Sequence, residues 1–465
     1  MSRFVWWYLG CGLLLIPYLW GGLVWDDHLL LSDGLWQLES IGDIWGQSVQ
    51  GGLIATQYYR PIPMTIMALV PSVFGLHLIT WLVHLGTGLL VYRWIETAFE
   101  QQTVARIAAA FFLLHPIQSE VLGWVSCLPD ILAVHFGLWA VVLVQRASSG
   151  VLVALALLVG MLCKEIAVVP IIAYGLCNLT VSDLRRPPLW LLVSMGTIVV
   201  IWLLRRWLGV ETVLPPGFDD VFWVSVRTIG AGWFGLAIPY PLVPVRDVWV
   251  LPLWQVGLGW LLCLTVLFNA KVRMGWLIVI GALCISLPPV WVGYLAAERY
   301  LYLASLGWVW IVSVYLVHDN RYSHLQSNRW RPTVFALCVL LGYGHWTRAM
   351  VWSSDQALFS HATDVLPHSG YAWHLSGMHH AQKAEFSEAT DCFLEATTKE
   401  RHHHQSAEFY LRSALESDRV AEAFQFAEQG PKVGLSRGYL EVWLQLAQKT
   451  QATERVQELQ SILAQ

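Results

Sequence analysis

Charge is scarce in this chain: Lys, Arg, Asp and Glu together make up 13% of its residues, where an ordinary soluble domain carries about 25%. That shortage argues against a conventional water-soluble fold. The net charge of −4 is small and spread out, which excludes the basic patch a nucleic-acid partner would need. The eight cysteines, from Cys11 to Cys392, stand singly and mostly inside apolar runs. Without a CxxC or a paired spacing they supply neither a disulfide framework nor a zinc site, and they read as small buried hydrophobes. His402 to His404, with His379 and His380, lack a cysteine or carboxylate at ligand spacing, so they read as a solvated helix turn. Related halves with matching interruptions, usual in secondary transporters, are missing as well.

What the chain has instead is apolar and aromatic sequence. Hydrophobic residues make up 56%, with 27 tryptophans and 16 tyrosines, and the mean hydropathy is +0.53. Aromatics in such excess suit helices that cross lipid headgroup layers, so the expectation is an all-α, polytopic membrane protein. Apolar runs that read as spans are 4–24, 74–95, 104–120, 121–145, 150–164, 166–181, 188–207, 252–269, 274–292, 300–318 and 332–348. The first is about 20 residues, longer than the apolar core of a cleaved signal, and is read as an uncleaved span with its N-terminus in the cytoplasm. Two further stretches, 61–73 and 222–240, are rich in Pro or Gly and read as interfacial or re-entrant helices. Basic residues mark the cytoplasmic connections: Arg3, Arg93, Arg106, Arg146, Arg185, Arg186, Lys271, Arg273, Arg321, Arg329 and Arg331. This leaves 25–60 as a long external loop. Arg205 and Arg206 break the pattern. With 222–240 re-entrant, everything after residue 348 is external.

Composition changes near residue 350, dividing the chain into a membrane domain, 1–348, and a polar helical domain, 349–465. In the latter, Trp373, Gly377, Ala389, Phe393 and Ala396 fall at the W, G, A, F and A positions of a tetratricopeptide repeat of about 34 residues. Phe359, Ala362 and Pro367 match the end of a preceding unit, and Ala423 follows Ala389 by one period. The pattern is degenerate, with Arg401 in place of the usual Pro and Ala427 in place of an aromatic. It predicts helical hairpins stacked into an α-solenoid.

Four groups of polar residues interrupt the apolar sequence. The external loop holds Asp26, Asp27, Asp33, Glu39 and Asp43 and ends in YYRPIP, which contains Arg60. Residues 111–136 contain His115, Glu120 and Asp130, and His115-Pro116 stops the preceding helix because proline lacks an amide proton. Lys164 and Glu165 are tightly bracketed by apolar sequence, where Lys suits a phosphate as a point charge. Residues 292–308 carry Glu298 and Arg299 beside Tyr300 and Tyr302, and Arg offers a fixed fork of donors to a phosphate or carboxylate. Ionisable groups at membrane depth are expensive and are functional candidates by default.

Taken in order, WDDH at 25–28, YRP at 59–61, HPIQSEV at 115–121, KE at 164–165, AERYLYLASLG at 297–307 and the repeat tail resemble one family. It is the transmembrane and tetratricopeptide-repeat family of protein O-mannosyltransferases with its prokaryotic relatives, in the GT-C superfamily. Two positions depart from it: Gln118 replaces the family's second histidine, and Leu128 replaces an arginine two residues before the aspartate. The resemblance implies transfer of a mannose-like sugar from a polyprenyl-phosphate donor to a hydroxyl acceptor, a Ser or Thr of proteins, on the external face of the membrane. It makes Asp26 or Asp27 the general base and leaves the other to hold a divalent metal or orient the acceptor. Arg299, with Lys164 or Arg60, would meet the leaving phosphate. His115, Glu120, Asp130, Glu165, Glu298 and Tyr302 would complete the substrate site. No cofactor is implied beyond the lipid-linked donor. The repeats would bind the protein acceptor on the external side, periplasmic if the membrane is a bacterial inner membrane. A non-catalytic scaffold that recruits protein partners through the repeats is the competing expectation.

Overall fold

The computed structural model describes residues 2–38, 40–46, 59–208, 218–239, 242–243, 245–267, 269–288, 290, 295–318, 331–399, 403–430 and 435–464. Glu39, Arg321, Arg329, Arg401 and His402 lie outside them. The described residues are all-helical, with 84% of them in helix, apart from two short extended segments, Val245–Asp247 and Leu295–Ala297. It divides into two compact units, residues 1–244 with 251–354, and residues 355–465 with 245–250.

The longer helices of the first unit are α1 (Ser2–Leu14), α2 (Pro61–Leu69), α3 (Val73–Phe99), α4 (Gln102–Leu114), α5 (Leu128–Gln145), α6 (Gly150–Cys163) and α7 (Val169–Asn178). They continue as α8 (Leu189–Trp207), α9 (Phe218–Ala237), α10 (Leu253–Leu267), α11 (Arg273–Ile285), α12 (Tyr300–His318) and α13 (Arg331–Val351). Among the described residues, five helices are long and apolar enough to cross a membrane: Val73–Phe99, Val125–Gln145, Leu189–Trp207, Tyr300–Val317 and Pro332–Val351. The bent pair of α10 and Ala270–Ile285, at 109°, makes a sixth if it is one span.

Fewer helices reach spanning length than the apolar runs predict, and local chemistry gives the reason. Pro17 cannot donate back to residue 13, and the run 4–24 breaks into α1 and a short 3-10 turn, Ile16–Trp20. Pro116 ends α4, so the run 104–120 stops being one helix at Leu114. Lys164 turns extended and closes α6. The stretch 61–73 yields only the nine residues of α2. The Gly-rich stretch 222–240, expected to be interfacial or re-entrant, is helical as far as Ala237 in α9, and Val221–Ala237 falls among the shorter apolar helices. Its glycines serve packing: a Cβ at Gly259 of α10 would collide with the carbonyl oxygen of Gly230. Small residues that let helix backbones touch are the usual contact between helices in lipid.

α5 and α12 form the centre, with 72% and 61% of their apolar windows buried, against 17% for α8 and 22% for α13. The outer helices expose Leu192, Met195, Val199, Trp202, Phe335, Leu340 and Trp346, the surface expected toward lipid tails.

The second unit is built from α14 (Asp355–Val365), α15 (Gly370–Gln382), α16 (Phe386–Lys399), α17 (His403–Glu416), α18 (Val420–Gln429), α19 (Arg437–Lys449) and α20 (Thr453–Leu463). Each packs on the next in chain order. Ala389, Phe393, Leu411, Ala414, Ala423, Trp443 and Leu446 share one core, and Gly377 admits the Phe393 ring. Three of the turns are alike. Ala384, Asp418 and Gln451 take positive φ of 59°, 59° and 60°. The residue after each donates its N–H five residues back, to His380, Ala414 and Ala447, the Schellman ending of a helix. Their spacing, 34 (418 − 384) and 33 (451 − 418), is a structural period.

Candidate functional site

The site begins where α1 and its 3-10 extension hand over to Gly21–Val24. Trp25 then adopts φ 54°, an outlier for a bulky residue that surrounding contacts must enforce. Its ring stacks on Trp124 with centroids 5.0 Å apart and planes 11° from parallel. The bend sends the next two carboxylates to different places.

Asp27 is fully buried. Its Oδ1 accepts from the Ser126 N–H at 2.8 Å and the Ser126 hydroxyl at 2.5 Å, and its Oδ2 accepts from the Val24 N–H at 3.2 Å. Burial pushes its carboxyl up to about 7, although the bonds from Ser126 and Val24 pull the other way. Asp26 keeps solvent access. The protein around it still raises its carboxyl above the ordinary value, and Arg299 opposes that rise. The two like charges are therefore eased: burial favours the neutral form of one carboxyl, and the other lies within electrostatic reach of an arginine.

Arg299 precedes α12 and is tied to Glu120 twice, by its N–H to Oε2 at 2.9 Å and by Nη1 to Oε1 at 2.6 Å. Its guanidinium lies 4.8 Å from the Trp124 ring centre and 5.0 Å from that of Tyr300. Glu120 occupies the short helix Ser119–Gly123, which the break at Pro116 makes room for.

A second polar cluster holds Lys164 Nζ on Asp130 Oδ1 at 2.6 Å and Arg205 Nη2 on Glu165 Oε2 at 2.9 Å. Arg60 is near enough to repel Lys164 and attract Glu165. Cys127 lies within electrostatic reach of Glu120, Asp130, Arg299 and Lys164 alike, so the two clusters adjoin. Arg60, Lys164 and Arg205 thus gather around Asp130 and Glu165.

Other residues singled out in the sequence take packing positions. Tyr302 is fully buried and shares a 3.0 Å hydrogen bond with His84 Nδ1, so its hydroxyl faces the interior. His115 Nε2 meets the Leu236 carbonyl at 3.0 Å, and its Nδ1 accepts from the Ile117 N–H at 3.4 Å; it caps a turn. Glu298 is buried, with Oε1 accepting from the Val243 N–H at 2.5 Å and Oε2 facing Arg348 Nη2 at 3.4 Å. Gln118 donates to the Phe112 carbonyl and to Ser305 Oγ, and Leu128 is buried in the core. Among the described residues no group of three or more His, Cys, Asp or Glu is arranged to hold a metal ion. His379 and His380 pair with Asp355 and Glu385.

Sequence reasoning passed over Ser126, Trp124 and Arg348, and met Arg205 only as an exception to the charge pattern. A cation out of place at the end of an apolar helix was the available signal for Arg205. Ser126 and Trp124 carry none, since serine and tryptophan are common in such sequence. Comparison with family models, curated proteins and solved structures gives no match to the chain.

Proposed function

We propose that the protein is an integral membrane glycosyltransferase that moves a sugar from a polyprenyl-phosphate donor to a hydroxyl acceptor, with Asp26 as the general base. The observation that carries this reading is the division of labour between the two aspartates. Asp27 has its lone pairs taken up by Ser126 and Val24, while Asp26 retains solvent access beside Arg299.

The acceptor oxygen attacks the anomeric carbon as its proton passes to the Asp26 carboxylate. The bond from that carbon to the phosphate oxygen breaks, and the polyprenyl phosphate leaves with both electrons. Negative charge grows on the leaving group, and fixed cations near it lower the barrier. Arg299 is paired with Glu120, and the cations gathered at the second cluster, Arg60, Lys164 and Arg205, are the ones proposed to meet the phosphate. Lipid-exposed helices suit a donor with a polyprenyl tail. The periodic hairpins of the second unit, read as degenerate tetratricopeptide repeats, suit an extended polypeptide acceptor. The external side is assigned to both the site and the repeats.

Transfer from labelled polyprenyl-phosphate mannose in isolated membranes tests the reading. Asp26→Asn should lower the rate by about 10²- to 10⁴-fold, the usual contribution of a placed base. Equal label in variant and wild type would remove the catalytic role and leave the scaffold reading standing. A reporter fused after Gln465 should behave as external; a cytoplasmic signal would undo the acceptor-platform idea.

A further inference from the structure

Helix α13 has two unlike faces. Phe335, Leu340, Tyr343 and Trp346 are exposed, whereas His345, Arg348 and Trp352 are 0%, 7% and 0% exposed. The three buried residues, of which Trp352 is the first beyond the end of α13 and still donates its N–H to the Arg348 carbonyl, stand at i, i+3 and i+7, the spacing of one helical stripe. A polar stripe inside an otherwise lipid-suited helix is expensive and calls for a purpose.

Each member of the stripe fastens a different part of the site. His345 Nδ1 shares a 3.0 Å hydrogen bond with the Tyr18 hydroxyl, on the segment that leads into Asp26. Trp352 stacks on Trp124 at 6.4 Å and 16°, on the ring that lies under the Arg299 guanidinium. A Cβ at Gly123 would collide with the Trp352 side chain. One residue on, the Ser353 carbonyl accepts from the Gly22 N–H at 3.0 Å.

Arg348 makes the widest connection. Its Nε donates to Ser119 Oγ at 3.2 Å, its Nη1 to the Leu242 carbonyl at 3.0 Å and its Nη2 to Glu298 Oε2 at 3.4 Å. Ser119 and Glu298 are the chain neighbours of Glu120 and Arg299. A planar guanidinium with donors in fixed directions sets the relative position of what it binds. A buried ion pair is weak evidence of stabilisation, because apolar side chains of the same volume serve as well or better.

We infer that Arg348 is a positioning residue: by gripping Ser119 and Glu298 in one fork it sets Glu120 against Arg299, and so fixes the guanidinium that faces Asp26. The inference rests on the glycosyltransferase reading for its kinetic consequence, though not for its geometric one.

The test pairs Arg348→Met with Glu298→Gln, which removes both buried charges together and leaves neither stranded, and sets that double variant beside Arg348→Lys. Three quantities are measured: the thermal midpoint, kcat and KM with polyprenyl-phosphate mannose, and the rate at which a water-soluble maleimide labels Asp26→Cys in each background. The double variant should keep its midpoint and hold KM within about twofold while kcat falls roughly 10²-fold, the scale of a 1 Å misplacement. Arg348→Lys, which keeps the charge but not the fork, should fall between. The maleimide rate should shift severalfold as the surroundings of position 26 rearrange. Wild-type kcat and labelling at an unchanged midpoint would overturn the inference. So would a kcat that falls only in step with the folded fraction. If the wild type itself transfers no sugar, the glycosyltransferase reading fails, and the labelling rate alone decides the positioning role.

Discussion

In the first unit the ion pairs Lys164–Asp130, Arg299–Glu120 and Arg348–Glu298 lie inside the helix bundle, whereas in the second Arg419–Asp391, Arg412–Glu408 and Arg437–Glu441 lie at the surface. The chemistry of the pairs is the same; the surroundings differ. A solvated pair forms and breaks with little consequence, since water replaces either partner. A buried pair must be complete, because a stranded charge finds no substitute. The unit with the lower density of charge thus holds the charges that matter most individually. Since apolar residues fill such a space at no loss of stability, the buried pairs are better explained by what they hold in place.

Removing one buried partner should give the largest effect. Glu120→Gln leaves Arg299 without the carboxylate that its N–H and Nη1 both reach, and should cost about 3–5 kcal/mol in denaturant or thermal unfolding. Adding Arg299→Met should restore most of that stability without restoring transfer. A loss under about 1 kcal/mol for the single change would mean that the buried pair behaves like a surface pair, and the contrast between the units would collapse.

Asp27 sharpens the contrast through pH. Its carboxyl is raised from 3.8 to about 7 in the folded chain, so between those values the folded state holds a proton that the unfolded state has released. Its contribution to stability is therefore whole below about pH 3.8 and is lost as pH rises through about 7. The unfolding temperature of the wild type should fall by more over this window than that of Asp27→Asn, which has no proton to lose. Parallel curves would show that the position is not desolvated in the way its burial implies.

The same difference in surroundings explains what could be read in advance. In the second unit, Gly377, Ala389, Phe393, Ala396 and Ala423 disclose both helices and period, because small and aromatic residues at fixed spacing pack against chain neighbours. In the first unit the charges themselves were legible: Asp26, Arg60, Glu120, Asp130, Lys164, Glu165 and Arg299 stand out from apolar sequence. Their partners were not, since each is supplied by a distant element. Only the Trp25 bend and Ser126 tell Asp27 from Asp26, and only the pairing with Glu165 gives Arg205 a place. Tyr302 and His115 counted as site residues through the family resemblance, yet each has its partner within the helix bundle, Tyr302 in His84 and His115 in the Leu236 carbonyl. Helix lengths were overestimated where one proline or lysine interrupts a run that hydropathy alone reads as continuous.

The smallest effect should come from the best-connected surface pair. Arg419 Nη1 reaches Asp391 Oδ1 at 2.5 Å, and its Nε and Nη2 reach Glu422 Oε2 at 3.0 and 2.8 Å, a geometry as good as any in the first unit. Its carboxylate partners are nevertheless 66% and 61% exposed in their side chains. Arg419→Gln should therefore shift unfolding of the full chain by no more than about 1 kcal/mol, and by less at high salt, where exposed charges are screened. Setting Arg419→Gln against Glu120→Gln separates geometry from surroundings, because the two arginines are comparably bonded. If the two substitutions cost the same, hydrogen-bond geometry governs both units. If Glu120→Gln costs several times more, exclusion of water is what distinguishes them, and the buried pairs are places where charge is held at a cost in order to act.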